Sequence, residues 1–358
     1  MNEHPDEIRA KRTFARARPE TASVKTINLA LQGGGAHGAF TWGVLDRLLD
    51  EPRIAIEGIS ATSSGALNAT VLAYGLTIGG REGAKQALMS FWRRVAHAAM
   101  FSPLQPSLYD RMTHNHGLEN SPAHLIFDLM TRVLSPYQLN PLNHNPLRHT
   151  ITQVVDFERL RHSSAVKLFL SATNVRTGKV KIFAAEEVTA DCVLAATCLP
   201  YLYQAVEIGG EHYWDGGYMG NPALFPLIYA CTTRDILVVH INPMERPEVP
   251  TTAREIMNRV NEISFNASLM REMRAVAFIT KLIDDGKLAQ GEVKRMLVHA
   301  IAADDVMQGL SGASKLNADW DFLIHLRDIG RERTQVWIDN HFDDLGVEST
   351  VDVRGTYL

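Results

Sequence analysis

The feature that most constrains this chain is a strand, a glycine-rich loop and a helix near its start, followed at once by a second unit of the same order. Thr26 to Leu31 (TINLAL) reads as a short buried strand. Gly33-Gly34-Gly35-Ala36-His37-Gly38 follows it, and then AFTWGVLDRLLDE, in which Phe40, Val44, Leu45, Leu48 and Leu49 recur at helical spacing while Asp46, Arg47 and Asp50 fall on the other side. The pattern returns at Ile54 to Ile59, then Ser60-Ala61-Thr62-Ser63-Ser64-Gly65, then the helix-like ALNATVLAYGL. Two such units in succession predict a parallel sheet, because a helix is the short way to bring a chain back to start a neighbouring strand in the same direction.

Later segments extend that sheet. VKLFLSATNV (166 to 175), KVKIFA (179 to 184) and DILVVHINP (235 to 243) read as strands, and VEIGGEHYWDGG as a hairpin with Gly209-Gly210 at its tip. A helix is predicted from Arg81 to Ala98, another from a capping box of Thr252 and Glu255 to a stop at Gly286, and a last one from Asp319 to Phe342. Glu255, Asp284 and Asp285 are assigned to capping and solvation. The reading is a single α/β domain over 25–245, with a proline-rich insertion at about 100–148 as a lid or access segment, a disordered tail over 1–24 and a helical C-terminal cover over 246–358.

Charge and composition remove several function classes. Lys plus Arg (36) against Asp plus Glu (40) leaves a formal charge of -4, without the basic footprint of a nucleic-acid binder. The cluster Arg9, Lys11, Arg12, Arg16 and Arg18 is read as a solvated tail. Cys192, Cys198 and Cys231 show neither a disulfide framework nor zinc spacing, and the first twenty residues lack the apolar stretch of a signal peptide, so a cytoplasmic protein is expected. No metal is predicted, calcium included, since no acidic cluster has a cation-binding pattern. The sequence carries no signal for oligomeric state.

Gly33, Gly35 and Gly38 satisfy G-x-G-x-x-G between a strand and a helix, the dinucleotide fingerprint. That reading wants an acid after the second strand, and Glu57 sits inside the strand instead. The same glycines serve equally to converge backbone N–H groups on a developing oxyanion at a helix N-terminus. The second loop bears on the choice. Ala61-Thr62-Ser63-Ser64-Gly65 departs from the nucleophile elbow G-x-S-x-G only at its first residue, which places Ser63 at the nucleophile position, with Ser60 and Ser64 as fallbacks and N-capping as the plain alternative. A base must come from elsewhere in the chain. Asp215, ahead of the Gly216-Gly217 pair, offers a carboxylate beside Tyr213 and Trp214; His212 and His162 are the rival bases.

In this order, a GGGxxG loop, a serine elbow and a D-G-G, the motifs resemble the patatin-like phospholipase family over roughly residues 26 to 230, and the small-residue segment Ala195 to Tyr203 ahead of the aspartate adds to the likeness. The resemblance implies a three-layer α/β/α fold with a mainly parallel central sheet. It implies a Ser63–Asp215 dyad that forms an acyl-enzyme from a lipid ester, with the oxyanion on the loop Gly33-Gly34-Gly35-Ala36-His37-Gly38, chiefly Gly34, Gly35 and Ala36 N–H, and with no cofactor. Burial of Asp215 beside Trp214 and Tyr213 should raise its basicity, so activity should fall in acid. Two positions depart from the family, Ala61 and His37, the latter standing where Arg or Lys is common. His37 is given a structural or anion-tuning role. The competing readings are a dinucleotide-dependent oxidoreductase and a non-catalytic scaffold that binds lipid or a partner. The apolar residues of HLIFDLMTRVLSPYQLNPL are read as a peripheral contact with a lipid surface or as an ordinary packed helix.

Overall fold

The computed structural model describes residues 23–100, 102, 104–105, 116–118, 121–288 and 293–358. The basic cluster at the N-terminus and much of the first part of the insertion lie outside the described residues. The two early units form as read: β1 (Lys25–Leu31) leads to α1 (Gly38–Leu49), and β2 (Ile54–Ala61) to α2 (Ser64–Ala99). α2 joins the two helices read from the sequence and breaks at Gly79 and Gly80, where φ is -158° and 60°. Beyond the insertion helix α3 (Pro122–Val133) come β3 (Lys167–Asn174), β4 (Val180–Ala184), the short helix α4 (Ala190–Ala196) and the hairpin of β5 (Val206–Ile208) and β6 (Glu211–Asp215). β7 (Asp235–Val239), α5 (Ala253–Asp284), β8 (Leu297–Ile301) and α6 (Trp320–His341) complete the main frame.

The eight strands form one sheet in the order β5-β6-β3-β2-β1-β7-β8, with β4 paired to β3 off this path. β3-β2-β1-β7-β8 is a parallel run, whereas β4 and β6 each pair antiparallel to β3. Because successive side chains of a strand point to opposite faces, each central strand feeds two cores. Ile27, Leu29 and Leu31 of β1 and Leu237 and Val239 of β7 join the core that holds α1, α2 and α6. Ala30, Ile236 and Val238 face the other way, onto Leu269, Met273 and Val276 of α5. The fold is therefore a three-layer α/β/α sandwich. α1 and α6 cross closely: a side chain at Gly43 would overlap the Arg327 backbone, and one at Gly330 would overlap that of Phe40.

The C-terminal region differs from the all-helical cover read from the sequence. Leu297–Ile301 pairs parallel to β7 and extends the sheet by an edge strand, its Val298 and Ile301 buried on opposite faces. Five residues, LVHAI, are too few for a periodicity that separates strand from helix, and the sheet edge decides it.

The register of β3 brings distant sequence together. β2 pairs with β3 over Gly58–Ala61, ending at Ala61 opposite Leu170, and β6 pairs Asp215 with Ala172. β4 runs along β3 from Phe169 to Thr173 and so occupies its other edge. The last residue of β6 thus lies two positions beyond the last residue of β2 on one edge of one strand.

Candidate active site

At the end of β2 the chain turns into α2 through Ser63, whose backbone sits at φ 54° and ψ -127°. Only Ser63 and Asn143 among the described non-glycine residues have positive φ. A β-carbon in this region costs on the order of 1–3 kcal/mol, so the surroundings must hold it. They do: Ser63 N–H donates to Ala196 O at 2.9 Å, Thr62 Oγ1 donates to Gly220 O at 2.6 Å, and Ala66 and Leu67 N–H both donate to Ser63 O. Gly65 is required because a side chain there would overlap Leu31 O and Gln32 O. Ala61 is fully buried, paired in the sheet and has no positive φ, so the elbow's first position tolerates its methyl group.

Asp215 is fully buried at the end of β6. Its N–H donates to Cys198 O at 2.7 Å, its carbonyl accepts from Thr173 Oγ1 at 2.9 Å, and its Oδ1 accepts from Gly217 N–H at 2.8 Å. Its Oδ2 is buried with no hydrogen-bond partner. Burial drives the carboxyl up to about 7, against the Gly217 N–H and the neighbouring Ser63 hydroxyl, which favour the charged form. Gly216 and Gly217 have no room for a side chain. Both are buried in a tight turn, one where a side chain would overlap Ser171 O and the other where it would overlap the Phe265 ring. The small-residue segment finds its reason here. The end of α4 and the residues after it accept from Ser63 through Ala196 O and from Asp215 through Cys198 O, which braces both from one segment.

The glycine loop lies directly over Ser63: a β-carbon at Gly33 would overlap the serine Cβ, and one at Gly38 would come within 2.7 Å of Ser64 Cβ and Oγ. Not all of its donors point to open space. Gly33 N–H is taken by Asn221 Oδ1 at 2.7 Å and Gly34 N–H by Ser64 Oγ at 3.0 Å, which corrects the expectation that Gly33 and Gly34 present free donors. Gly35, at φ 61°, and Ala36 have N–H groups with no acceptor among the described residues. The fallback serines are spent on structure, Ser60 donating to Ala223 O at 2.5 Å and Ser64 accepting from the loop.

His37 is buried and its Nε2 bonds Ser314 Oγ at 2.7 Å. Burial, with Lys315 nearby, holds its pKa down to about 3, so the ring is neutral at ordinary pH. His212 faces Glu207 at 3.9 Å and His162 bonds Glu158 O, and neither lines the cavity at Ser63. Glu57 is the extra residue of a bulge in β2 and accepts from Thr232 and Thr233 N–H and from Lys167 Nζ. Bound in that turn, it is not placed to meet a ribose. The three cysteines are buried and free, with the Cys198 thiol pushed up to about 12 by burial.

A cavity of about 270 Å³ opens over Ser63, lined by Gly33, Gly34 and Gly35 and walled by Leu199, Leu202, Tyr218, Phe265 and Leu316. Sequence reasoning missed the groups that hold the loop against it. Gln32 Oε1 accepts from Ile241 and Asn242 N–H, Asn242 Nδ2 donates to Gly33 O at 2.7 Å, and Asn221 takes Gly33 N–H. Only the Asn-Pro turn signal at Asn221 marked any of them, and it marks a turn rather than a role.

Together these elements define an α/β protein whose strained serine turn and glycine loop face one cavity beside a buried carboxylate. The chain belongs to the patatin-like phospholipase family, whose model matches residues 29–228, more than half its length. Among solved structures it is similar to VipD from Legionella pneumophila, at 14% identity and a TM-score of 0.41 over 93% of this chain and 73% of that one. It is also similar to ExoU in the ExoU–SpcU complex of the Pseudomonas aeruginosa type III secretion system, at 14% identity and a TM-score of 0.30 over 90% of this chain and 53% of that one. A search of curated protein sequences finds no match.

Proposed function

We propose that this protein is a serine acyl hydrolase that cleaves carboxylic esters of lipids through a Ser63–Asp215 dyad. The observation that carries the reading is the strained backbone of Ser63, the kind of outlier that persists where a side chain must be presented, beside a carboxylate whose free oxygen has no other partner. Asp215 in its ionised form accepts the Ser63 Oγ proton as Oγ attacks the acyl carbonyl. The oxyanion that forms is held by the Gly35 and Ala36 N–H groups, each such donor contributing about 10²- to 10³-fold in rate. Collapse expels the alcohol, which leaves with the proton from Asp215. Asp215 then takes a proton from water as that water attacks the acyl-enzyme, and returns it to Ser63 as the fatty acid departs.

In this reading residues 25–245 form the catalytic unit and 246–358 close it, since Phe265 and Leu316 wall the cavity. The exposed apolar side chains of α3, Leu125, Ile126, Leu129 and Val133, supply a peripheral contact with a lipid surface. No described helix is long and apolar enough to cross a membrane. Replacing Ser63 by Ala tests the proposal: hydrolysis of a short-chain acyl ester should fall by at least about 10³-fold with the melting temperature retained. Retained turnover would refute the assignment.

A further inference from the structure

The cavity over Ser63 has a charge balance that a neutral acyl ester leaves unused. Among the described residues that line it, Lys315 is the one cation and Glu262 the one anion. Glu262 is already committed. Arg246 grips both of its oxygens at 2.6 and 3.0 Å, and Arg259 reaches one of them at 3.2 Å. Burial opposes its ionisation, yet these guanidiniums hold the carboxyl below the ordinary range. Glu262 with its two arginines is a positive cluster, and Lys315 adds to it.

Lys315 lies in the short turn Ala313–Leu316, beyond the part of the chain that the family model covers. Its carbonyl packs against the glycine loop, where a side chain at Gly35 would overlap it. Its Nζ donates to Asn242 Oδ1 at 2.8 Å and has no ion-pair partner among the described residues. An ammonium has three donors, so two remain for whatever enters the cavity. The loop's own ring, His37, brings no charge because burial keeps it neutral. Burial lowers the pKa of the Lys315 ammonium and the Glu262 charge opposes that, so an incoming anion beside Nζ adds to the attraction that keeps it charged.

We propose that Lys315 reads a negatively charged group, a phosphate or a carboxylate, carried by the same ester that Ser63 cleaves, so that the site selects anionic over neutral acyl esters. The inference rests on the hydrolase reading for its substrate, but its test does not depend on turnover. Three short-chain lipids that share one acyl group serve as probes: 1-hexanoylglycerol, its 3-phosphate and its 3-hemisuccinate. Titration calorimetry on the full chain carrying Ser63→Ala should show at least one of the anionic lipids binding about tenfold or more tighter than the neutral one. The stronger of the two identifies the anion. In the double variant with Lys315→Met the preference should shrink several-fold, and with Lys315→Arg it should return.

Equal binding of all three lipids to the Ser63→Ala protein would overturn the inference without any Lys315 variant having to fold. So would a preference that survives Lys315→Met, or inorganic phosphate alone binding as tightly as the lipid phosphate. Turnover of the same lipids by the unaltered protein separates the two claims. Selective binding without hydrolysis upholds the anion site and removes the hydrolase.

Discussion

The two strand–turn–helix units at the start of the chain have the same architecture and handle the same bend in opposite ways. After β1 the turn is absorbed by Gly35 at φ 61°, where no β-carbon resists. After β2 it is absorbed by Ser63 at φ 54°, where one does. Both turns open on one cavity from adjacent parallel strands. The first presents backbone N–H groups and needs no side chain, so glycine serves without strain. In the proposed mechanism the second must present a hydroxyl, and the fold holds the strain by bracing Ser63 through Ala196 O and the first turn of α2. Strain is kept where a side chain is indispensable and removed where the backbone suffices.

The largest expected effect comes from Asp215, the base of the proposed mechanism. Asp215→Asn should lower kcat by about 10³-fold or more, and the ordinary protein should gain activity as pH rises through about 7, where the carboxyl ionises. A pH–rate profile from 5 to 9 checks this; a flat profile would contradict the assignment. The sign for stability is opposite. The folded pKa is raised above the unfolded value of 3.8, so the stability of neutral Asp215 is fully present below that value and is lost as pH rises through about 7. Asp215→Asn should therefore raise the melting temperature more at pH 8 than at pH 4.

A smaller effect is expected on the other turn. Gly35→Ala places a methyl at positive φ and against Lys315 O, which should lower activity by roughly 10- to 100-fold through displaced donors, and stability by about 1–3 kcal/mol. Parallel kinetics and thermal melts separate the two. The smallest effect sharpens the comparison most. Ser63→Gly should abolish turnover, but it removes the β-carbon from the strained backbone and should raise stability by about 1 kcal/mol relative to Ser63→Ala. If glycine is no more stable than alanine there, the turn is not strained.

Much of this arrangement was legible in the sequence, and the limits have physical causes. The glycine loop, the elbow and the D-G-G hairpin each carry a local requirement, for φ or for close approach, that residue type alone expresses. The strands β1, β2, β3 and β7 show as apolar runs because the sheet is covered on both faces. β8 did not show, because so short a segment, with a histidine at its centre, becomes a strand only when a sheet edge is there to receive it. Nor did the clamps on the loop. Gln32, Asn221 and Asn242 act through hydrogen bonds to residues distant in the chain, and an amide side chain in a sequence carries no sign of its partner. The same holds for the loop donors: which N–H groups stay free depended on Ser64 and Asn221, and neither spacing nor composition encodes that. Glu57 shows the converse. An acid at nearly the right distance for a dinucleotide is instead consumed by a bulge and the Thr232–Thr233 turn.

The central claim is that the strained serine is a nucleophile activated by the buried aspartate. Labelling the full chain with a fluorophosphonate that traps activated serines, followed by peptide mass mapping at pH 6 and pH 8, tests it most directly. One adduct is expected, on Ser63, formed faster at pH 8 and lost in Asp215→Asn. An adduct on Ser60 or Ser64, or labelling of Ser63 that is indifferent to Asp215, would contradict it.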